Sequence, residues 1–368
     1  MNVVSIVGAR PEFVQVAVLS RALRRDHTEI LIHTGQHYDV AMSERFFEQL
    51  GIAQPDLDLG VGGISTSAQV GEMLRKLAGV IEPLDADLVI VRGDTNSTLA
   101  GGLVAKHLLL PLVHVEAGMR SHDRTMPEEI NRVTVDHLAD LNLTTDAAAI
   151  ARLAAEGITG GVHVCGDVMY DAYLEARARP EPMLPAPVAE AVRTPFDLLT
   201  VHRSENVDDR VRLRAILDAF AAAPRPVLFP IHPRTRLRLG EFGLELPAEI
   251  VALEPLGYLE MLTLEARART IFTDSGGVQR EAYFAGVPCV TLRDRTEWTN
   301  TVDAGWNHLA GASTEAIRQY VYGTLAPPPD RPPLFGDGDA AERILAVLES
   351  DETRGIVAEA RKVRAARR

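Results

Sequence analysis

The chain of 368 residues is long enough for two domains, each with its own core. Its hydrophobic content of 46% and charged content of 24% are ordinary for a globular protein. A formal charge of −13 excludes a broad phosphate-tracking surface and a nucleic-acid partner, while leaving room for a small anionic ligand held by a few local cations.

The first residues, MNVVSIVGARPEF, lack a positive n-region, and their apolar run is too short for a secretory signal or a membrane span. A cytoplasmic chain with no membrane partner is the expectation. From there short apolar runs alternate with segments of helical period. VVSIVGA, EILIHTG, LVIVRGD, PLVHVEAG and LNLTT are followed by AVLSRALRR, SERFFEQL, STLAGGLVAKHL, EEINRVTVDHLA and DAAAIARLAAEG. Such alternation predicts a parallel sheet with crossover helices. The proline-rich stretch VHVCGDVMYDAYLEARARPEPMLPAP reads as a crossover between domains. A second series, FDLLTVH, PVLFPIH, EIVAL, RTIFTDSG and PCVTLR, then repeats the architecture. The expected fold class is α/β, two Rossmann-like domains facing a central cleft, over 1–170 and 171–351. A basic C-terminal helix, about 352–368, packs back on the first domain. Cys165 and Cys289 both sit in apolar runs and read as reduced, buried thiols.

In open α/β sheets ligands sit at the carboxyl ends of the strands, so the polar turns there carry the chemistry. Arg10 follows the first strand and is either a surface charge or a cation for an anionic ligand. Asp94 in GDTNST is either a helix N-cap or a carboxylate in the crevice. His114 and Glu116 in HVEAGMR alternate along one strand and so share a face, with Glu116 at the carboxyl end. MPEEINR places Glu128, Glu129 and Arg132 in the first turns of a helix, where acids commonly serve only the dipole. In the second half, His202 and Arg203 follow a strand. In TDSGGVQREA, Ser275, Gly276 and Gly277 form a tight turn into a helix whose amides make an anion site, with Asp274 or Ser275 as the cap. Glu281, one turn into that helix, can accept from a ribose diol or be solvated. Several carboxylates beside a diphosphate site point to proton chemistry on a sugar nucleotide. No Walker lysine motif, GxGxxG after the first strand, HExxH or CxxC is present, and Gly35 between His33 and His37 argues against a helical metal pair. No metal or cofactor is expected.

GARPEF, GDTNST, HVEAGMRS, MPEEINR, VHRSEN, EPLGYLEML, TDSGGVQREA and RTEWTNTVDAGWN, in this order and spacing, resemble the non-hydrolysing UDP-N-acetylglucosamine 2-epimerases from the first strand to about Asn307. The resemblance implies a glycosyltransferase-B-like fold and inversion at C2 of a UDP-sugar. UDP leaves C1 with anti loss of the C2 proton, giving 2-acetamidoglucal, and then adds back. It implies Asp94, Glu116 and Glu128 as catalytic acids with His202 beside the diphosphate. Arg10, Arg203, Ser275, Gly276 and Gly277 would bind the substrate, Glu281 the ribose and Met261 the uracil edge, and Arg132 would position the Glu128 loop. It implies a homodimer, and a weaker allosteric site at Gln36, His37 and His232. Two departures stand out: Gln15 where the family often has lysine, and Arg280 where it has an acid. TGQHYD, QREAYFAGVPCVTLR and RTEW also resemble relatives that epimerise UDP-2,3-diacetamido uronic acids. A UDP-sugar-dependent glycosyltransferase is the other alternative.

Overall fold

A computed structural model describes residues 1–36, 51–52, 54–323 and 325–367. The chain divides into two compact units, Met1–Glu175 with Phe335–Arg368, and Ala176–Leu334. The predicted helix SERFFEQL, and His37 with it, lie outside the described residues.

The first unit is built on a seven-stranded sheet of β1 (Asn2–Val7), β2 (Thr28–His33), β3 (Leu57–Asp58), β4 (Leu88–Arg92), β5 (Leu112–Ala117), β6 (Leu141–Thr144) and β7 (Val162–Val164). Their order is β3-β2-β1-β4-β5-β6-β7, and all pairs are parallel. Val162–Val164, expected to begin the interdomain crossover, instead closes this sheet against β6. The six strands of the second unit are β8 (Asp197–Thr200), β9 (Val227–Pro230), β10 (Ile250–Leu253), β11 (Ile271–Thr273), β12 (Cys289–Thr291) and β13 (Asn307–Leu309). They run parallel in the order β10-β9-β8-β11-β12-β13.

Apolar runs form these strands because both faces are covered. In β8, Leu198 belongs to a core layer with Leu228, Ile271 and Cys289, whereas the next residue, Leu199, belongs to the opposite layer with Phe229, Phe272 and Val290. In the first unit, Val4, Ile6, Val89 and Val91 pack against Met73 and Leu77 of the helix Thr66–Ile81. Val104 of the helix Asn96–His107 and Val135 of Pro127–Leu138 complete that layer. Burying each such side chain contributes roughly 2 kcal/mol.

The chain rejoins the first unit at Phe335, whose carbonyl accepts from the Asp167 amide at 3.0 Å. The Asp171 carboxylate then accepts the first amides of the helix Ala340–Leu348, from Ala340 at 3.2 Å and Ala341 at 2.8 Å. The last helix, Asp351–Arg367, packs back on the same unit. Arg361 pairs with the buried Asp87, and Arg364 donates to the Ala86 carbonyl at 2.9 Å. Cys165 and Cys289 are free and buried, and burial pushes both thiols up to about 12, so they behave as small hydrophobes. Among the described residues no helix is long and apolar enough to cross a membrane, and none of the His, Cys, Asp and Glu groups is arranged to hold a metal ion.

Each sheet reverses its strand order once, between β1 and β4 in the first and between β8 and β11 in the second. Neighbouring crossovers leave these strand pairs toward opposite faces, which opens a crevice at their carboxyl ends. All four turns that bound the two crevices belong to the motifs singled out in the sequence: GARPEF, GDTNST, VHRSEN and TDSGG.

Candidate active site

In the first unit Gly8 and Ala9 lead from β1 into the helix Arg10–Asp26, which Arg10 opens. Gly8 is required by close approach: a Cβ there would stand 2.0 Å from Ser97 Oγ and 2.3 Å from Thr34 Oγ1. That contact brings the turn after β1 against the start of the helix after β4. Glu12 then joins the two turns. Its Oε2 accepts from the amides of Gly8 at 2.6 Å and Ala9 at 2.8 Å. Its Oε1 accepts from the Thr95 hydroxyl at 2.8 Å and lies 3.2 Å from that of Thr98. Thr98 has one hydroxyl proton and also donates to the Arg92 carbonyl, so it cannot fully serve Glu12. Burial accordingly prevails over these bonds and pushes the Glu12 carboxyl up to about 7. Arg92 is fully buried, its Nε and Nη1 without hydrogen-bond partners, so burial lowers its pKa; Glu29 compensates its charge, joined by Glu12 only when that carboxyl is ionised.

Asp94 stands in the turn after β4, half-buried, with its carboxylate against the Arg132 guanidinium. Arg132 also binds Glu129 at 3.1 Å, and the Asn131 amide donates to the Asp94 carbonyl at 2.9 Å. The helix Pro127–Leu138 thus fixes Asp94 through two of its side chains. Glu129 is itself saturated by the Ser121 amide and hydroxyl, both at 2.9 Å, and the His122 amide at 2.8 Å. Its neighbour Glu128 is half-buried in the same first turn.

Glu116 closes β5 with φ of 68°, in the left-handed region, where the register against β6 shifts. A bulge of this kind re-aims a side chain. His114 turns to the Asp136 carboxylate at 2.7 Å, on the helix Pro127–Leu138. Glu116 instead accepts from Gln15 Nε2 at 2.5 Å, on the helix Arg10–Asp26, which crosses in the opposite sense and covers the other face. The expectation that His114 and Glu116 share a face is therefore corrected: alternation ends at the bulge. Gln15 orients Glu116 without adding a positive charge. His114 Nε2 lies 2.8 Å from the Gly93 carbonyl, so the ring bridges the turn after β4 and Asp136. Although burial opposes ionisation, the His114 bond and the Arg120 guanidinium hold Asp136 below its ordinary value. Gln36 lies at the same turns, its Oε1 accepting from the Ser97 amide at 3.1 Å and hydroxyl at 2.8 Å.

In the second unit Asp274, not a cap, is the central residue. Fully buried, it accepts from the amides of His202 at 3.1 Å and Arg203 at 3.0 Å and from Asn206 Nδ2 at 3.1 Å, and lies 3.3 Å from His202 Nδ1. Ser275 takes the cap of the helix Gly276–Ala285, its Oγ accepting from the Val278 amide at 3.4 Å. Gly276 is held by packing, since a Cβ would meet Glu297 Oε1 at 2.5 Å, whereas at Gly277 it would make only an ordinary contact with Ser275 Oγ at 3.7 Å. His202 is half-exposed beside His232, ring centroids 5.7 Å apart, and His232 caps the helix Pro233–Phe242. Glu281 faces Glu265 of the helix Tyr258–Arg267, where burial and the Glu281 charge push the Glu265 carboxyl well up. Met261, on that helix, packs half-buried against the core. Arg280 stacks over Trp298, 4.1 Å from its ring centroid.

Glu12, Asp136 and Glu265 are the residues sequence reasoning did not name, while Glu129 was read only as a dipole partner and Asp274 only as a cap. Of the unnamed three, Glu12 carried a signal, the three-residue spacing of a capping box, and Ala9 at the cap position hid it.

The family model for UDP-N-acetylglucosamine 2-epimerase matches residues 21–349. The chain belongs to this family. The epimerase is 44% identical to a UDP-N-acetylglucosamine 2-epimerase homolog of Methanococcus maripaludis, over 95% of this chain and all of that one. It is 43% identical to UDP-2,3-diacetamido-2,3-dideoxy-D-glucuronate 2-epimerase of Pseudomonas aeruginosa, over 95% and 99%. Its structure is similar to that of Methanocaldococcus jannaschii UDP-GlcNAc 2-epimerase in complex with UDP-GlcNAc and UDP, with a TM-score of 0.87 and 39% identity, covering 95% of this chain and 99% of the other. A likeness to the calicheamicin glycosyltransferase CalG4, at 17% identity and a TM-score of 0.50, is one of fold alone and makes the class glycosyltransferase-B-like.

Proposed function

We propose that this epimerase interconverts UDP-GlcNAc and UDP-ManNAc by elimination and re-addition of UDP. The C2 proton is weakly acidic because no carbonyl stands beside it. It becomes removable when the C1–oxygen bond breaks and UDP departs with the bonding pair. A carboxylate takes the C2 proton as the C1–C2 double bond forms. UDP then returns to C1 while C2 is protonated from the other face.

The observation that carries this reading is the pair of half-buried carboxylates, Asp94 and Glu116, at the ends of the adjacent strands β4 and β5, each fixed by a separate helix. With Glu128 they supply the proton-transfer groups. In the second unit His202, Arg203, Ser275, Gly276 and Gly277 hold the diphosphate, Glu281 takes the ribose diol and Met261 the uracil edge; Arg10, whose side chain lies outside the described residues, is the candidate cation of the first unit. Gln36 and His232, with His37, are the candidates for a regulatory UDP-sugar site, and added UDP-GlcNAc that leaves hyperbolic kinetics unchanged would remove that role. A cytoplasmic homodimer is the expected form, which light scattering on the purified protein checks.

A UDP-2,3-diacetamido uronic acid is the second substrate reading, favoured by the 43% identity to the Pseudomonas aeruginosa enzyme. The test is incubation with UDP-GlcNAc in D2O without added cofactor, followed at C2 by NMR. UDP-ManNAc carrying deuterium at C2 is the expected product. No exchange with UDP-GlcNAc, but exchange with the uronic acid, would replace the first reading by the second.

A further inference from the structure

We propose that Glu12 is a positioning residue that couples the two turns of the first unit's crevice and so sets Asp94 against the turn that carries Arg10. The proposal deepens the epimerase reading and rests on it for its effect on turnover, though not for the coupling itself.

The geometry is specific. The crevice lies between β1 and β4, strands that pair only through Val3, Val4 and Ser5 with Leu88, Val89 and Ile90. Beyond those residues no ladder hydrogen bond holds the turn 8–9 to the turn 93–95. Glu12 spans the gap. One carboxylate oxygen takes both amides of the first turn, and the other takes the Thr95 hydroxyl and touches that of Thr98 in the second. Thr95 is the N-cap of the helix Asn96–His107, directly after Asp94, and its Oγ1 accepts from the Thr98 amide at 3.2 Å. Displacing Thr95 therefore displaces Asp94. The Gly8–Ser97 contact sets how near the turns come, and a shape contact of that kind does not fix their relative slide. Three hydrogen bonds to one rigid carboxylate do. Glu12 is buried and belongs to no part of the reacting groups, so it acts only through these partners.

Glu12→Ala and Glu12→Gln proteins test this in two measurements. Amide exchange by mass spectrometry or NMR should show Glu12→Ala exchanging about tenfold faster at Gly8 and Ala9, and also at Thr95 and Thr98 across the gap. Glu12→Gln, whose amide oxygen still accepts the two backbone N–H groups while its nitrogen meets Thr95, should restore protection on both sides. Acceleration confined to Gly8 and Ala9 would overturn the coupling, whatever the substrate proves to be. In turnover, Glu12→Ala should lose about a hundredfold in kcat with KM changed far less, and Glu12→Gln should recover most of it. Coupled exchange with unaltered kcat would overturn the positioning role. An inactive wild-type protein on both UDP-sugars would sink the functional reading instead, with the exchange result still deciding the coupling.

Discussion

The two crevices are built by the same device from opposite sides. In the first unit a carboxylate in the first turn of the helix after β1, Glu12, reaches the turn after β4. In the second a carboxylate at the end of β11, Asp274, reaches back to the turn after β8. What surrounds them differs. In the same unit as Glu12 stand further acids, Asp94 and Glu116, each half-buried, with Arg132 on the Asp94 carboxylate and Gln15 on that of Glu116. Around Asp274 stand amides, hydroxyls and imidazoles: the His202 and Arg203 backbone, the Ser275 cap, and the His202–His232 pair. Acid-lined turns suit proton transfer, and amide-lined turns suit an anion. The contrast teaches that one sheet topology can carry two kinds of crevice, set by which polar residues follow each strand; on the proposed roles, the first would do the proton chemistry and the second would hold the leaving group.

The largest effects should fall on this division. Asp94→Asn and Glu116→Gln are expected to lower kcat by at least about a hundredfold, the ordinary worth of a positioned proton-transfer group, while calorimetry finds UDP binding largely intact. Asp274→Asn, by contrast, should weaken UDP binding about tenfold, because it loosens the His202–Arg203 turn while leaving the acids in place. If Asp274→Asn instead depressed kcat as strongly as Asp94→Asn with UDP affinity unchanged, the two crevices would not divide the work as proposed.

A second test sharpens the comparison through pH. Glu12 titrates at about 7 in the folded chain against 4.5 for an ordinary glutamate. The native state thus keeps a proton that the unfolded chain releases as pH rises above about 4.5, so this group's effect on stability becomes less favourable through that window, reaching about 3 kcal/mol above pH 7. Asp171, Asp197 and Glu265 shift in the same direction through burial and act in every variant alike. The measurement is therefore a difference: urea midpoints of the wild type and Glu12→Gln at about pH 5 and above 7. The wild type should lose stability relative to Glu12→Gln across that interval. A constant difference would mean that the hydrogen bonds to Glu12 outweigh its burial.

Much of the fold was legible because buried parallel strands are short apolar runs with polar turns after them. All ten runs from VVSIVGA to PCVTLR overlap strands, and the four turns singled out border the two crevices. The edge strands β3, β7 and β13 were not legible: two or three residues carry no periodicity, and Val162–Val164 was absorbed into the reading of a crossover. At the site, the residue types in the turns pointed to an anion and to proton transfer. The supports did not show themselves. Glu12 and Asp274 gain their partners from turns 83 and 72 residues away, which no local pattern encodes. His114 and Glu116 were placed on one face by alternation, and a single left-handed residue undid it.

The smallest expected effect compares the two caps. Thr95 and Ser275 each cap the helix that follows the second turn of a crevice, so deleting either hydroxyl should cost about 1 kcal/mol for the cap alone. Thr95 also donates to Glu12 at 2.8 Å, a bond to a buried carboxyl that Ala cannot replace, whereas Ser275 caps at a long 3.4 Å with Asp274 bound by other groups. Thr95→Ala should therefore destabilise the protein by about 2 kcal/mol, and Ser275→Ala by about half that, in urea titrations. The double variant Thr95→Ala with Glu12→Ala isolates the extra share: if the excess cost of Thr95→Ala survives when residue 12 is already an alanine, it comes from the cap, and the Glu12 coupling in the first crevice is weaker than its hydrogen bonds imply.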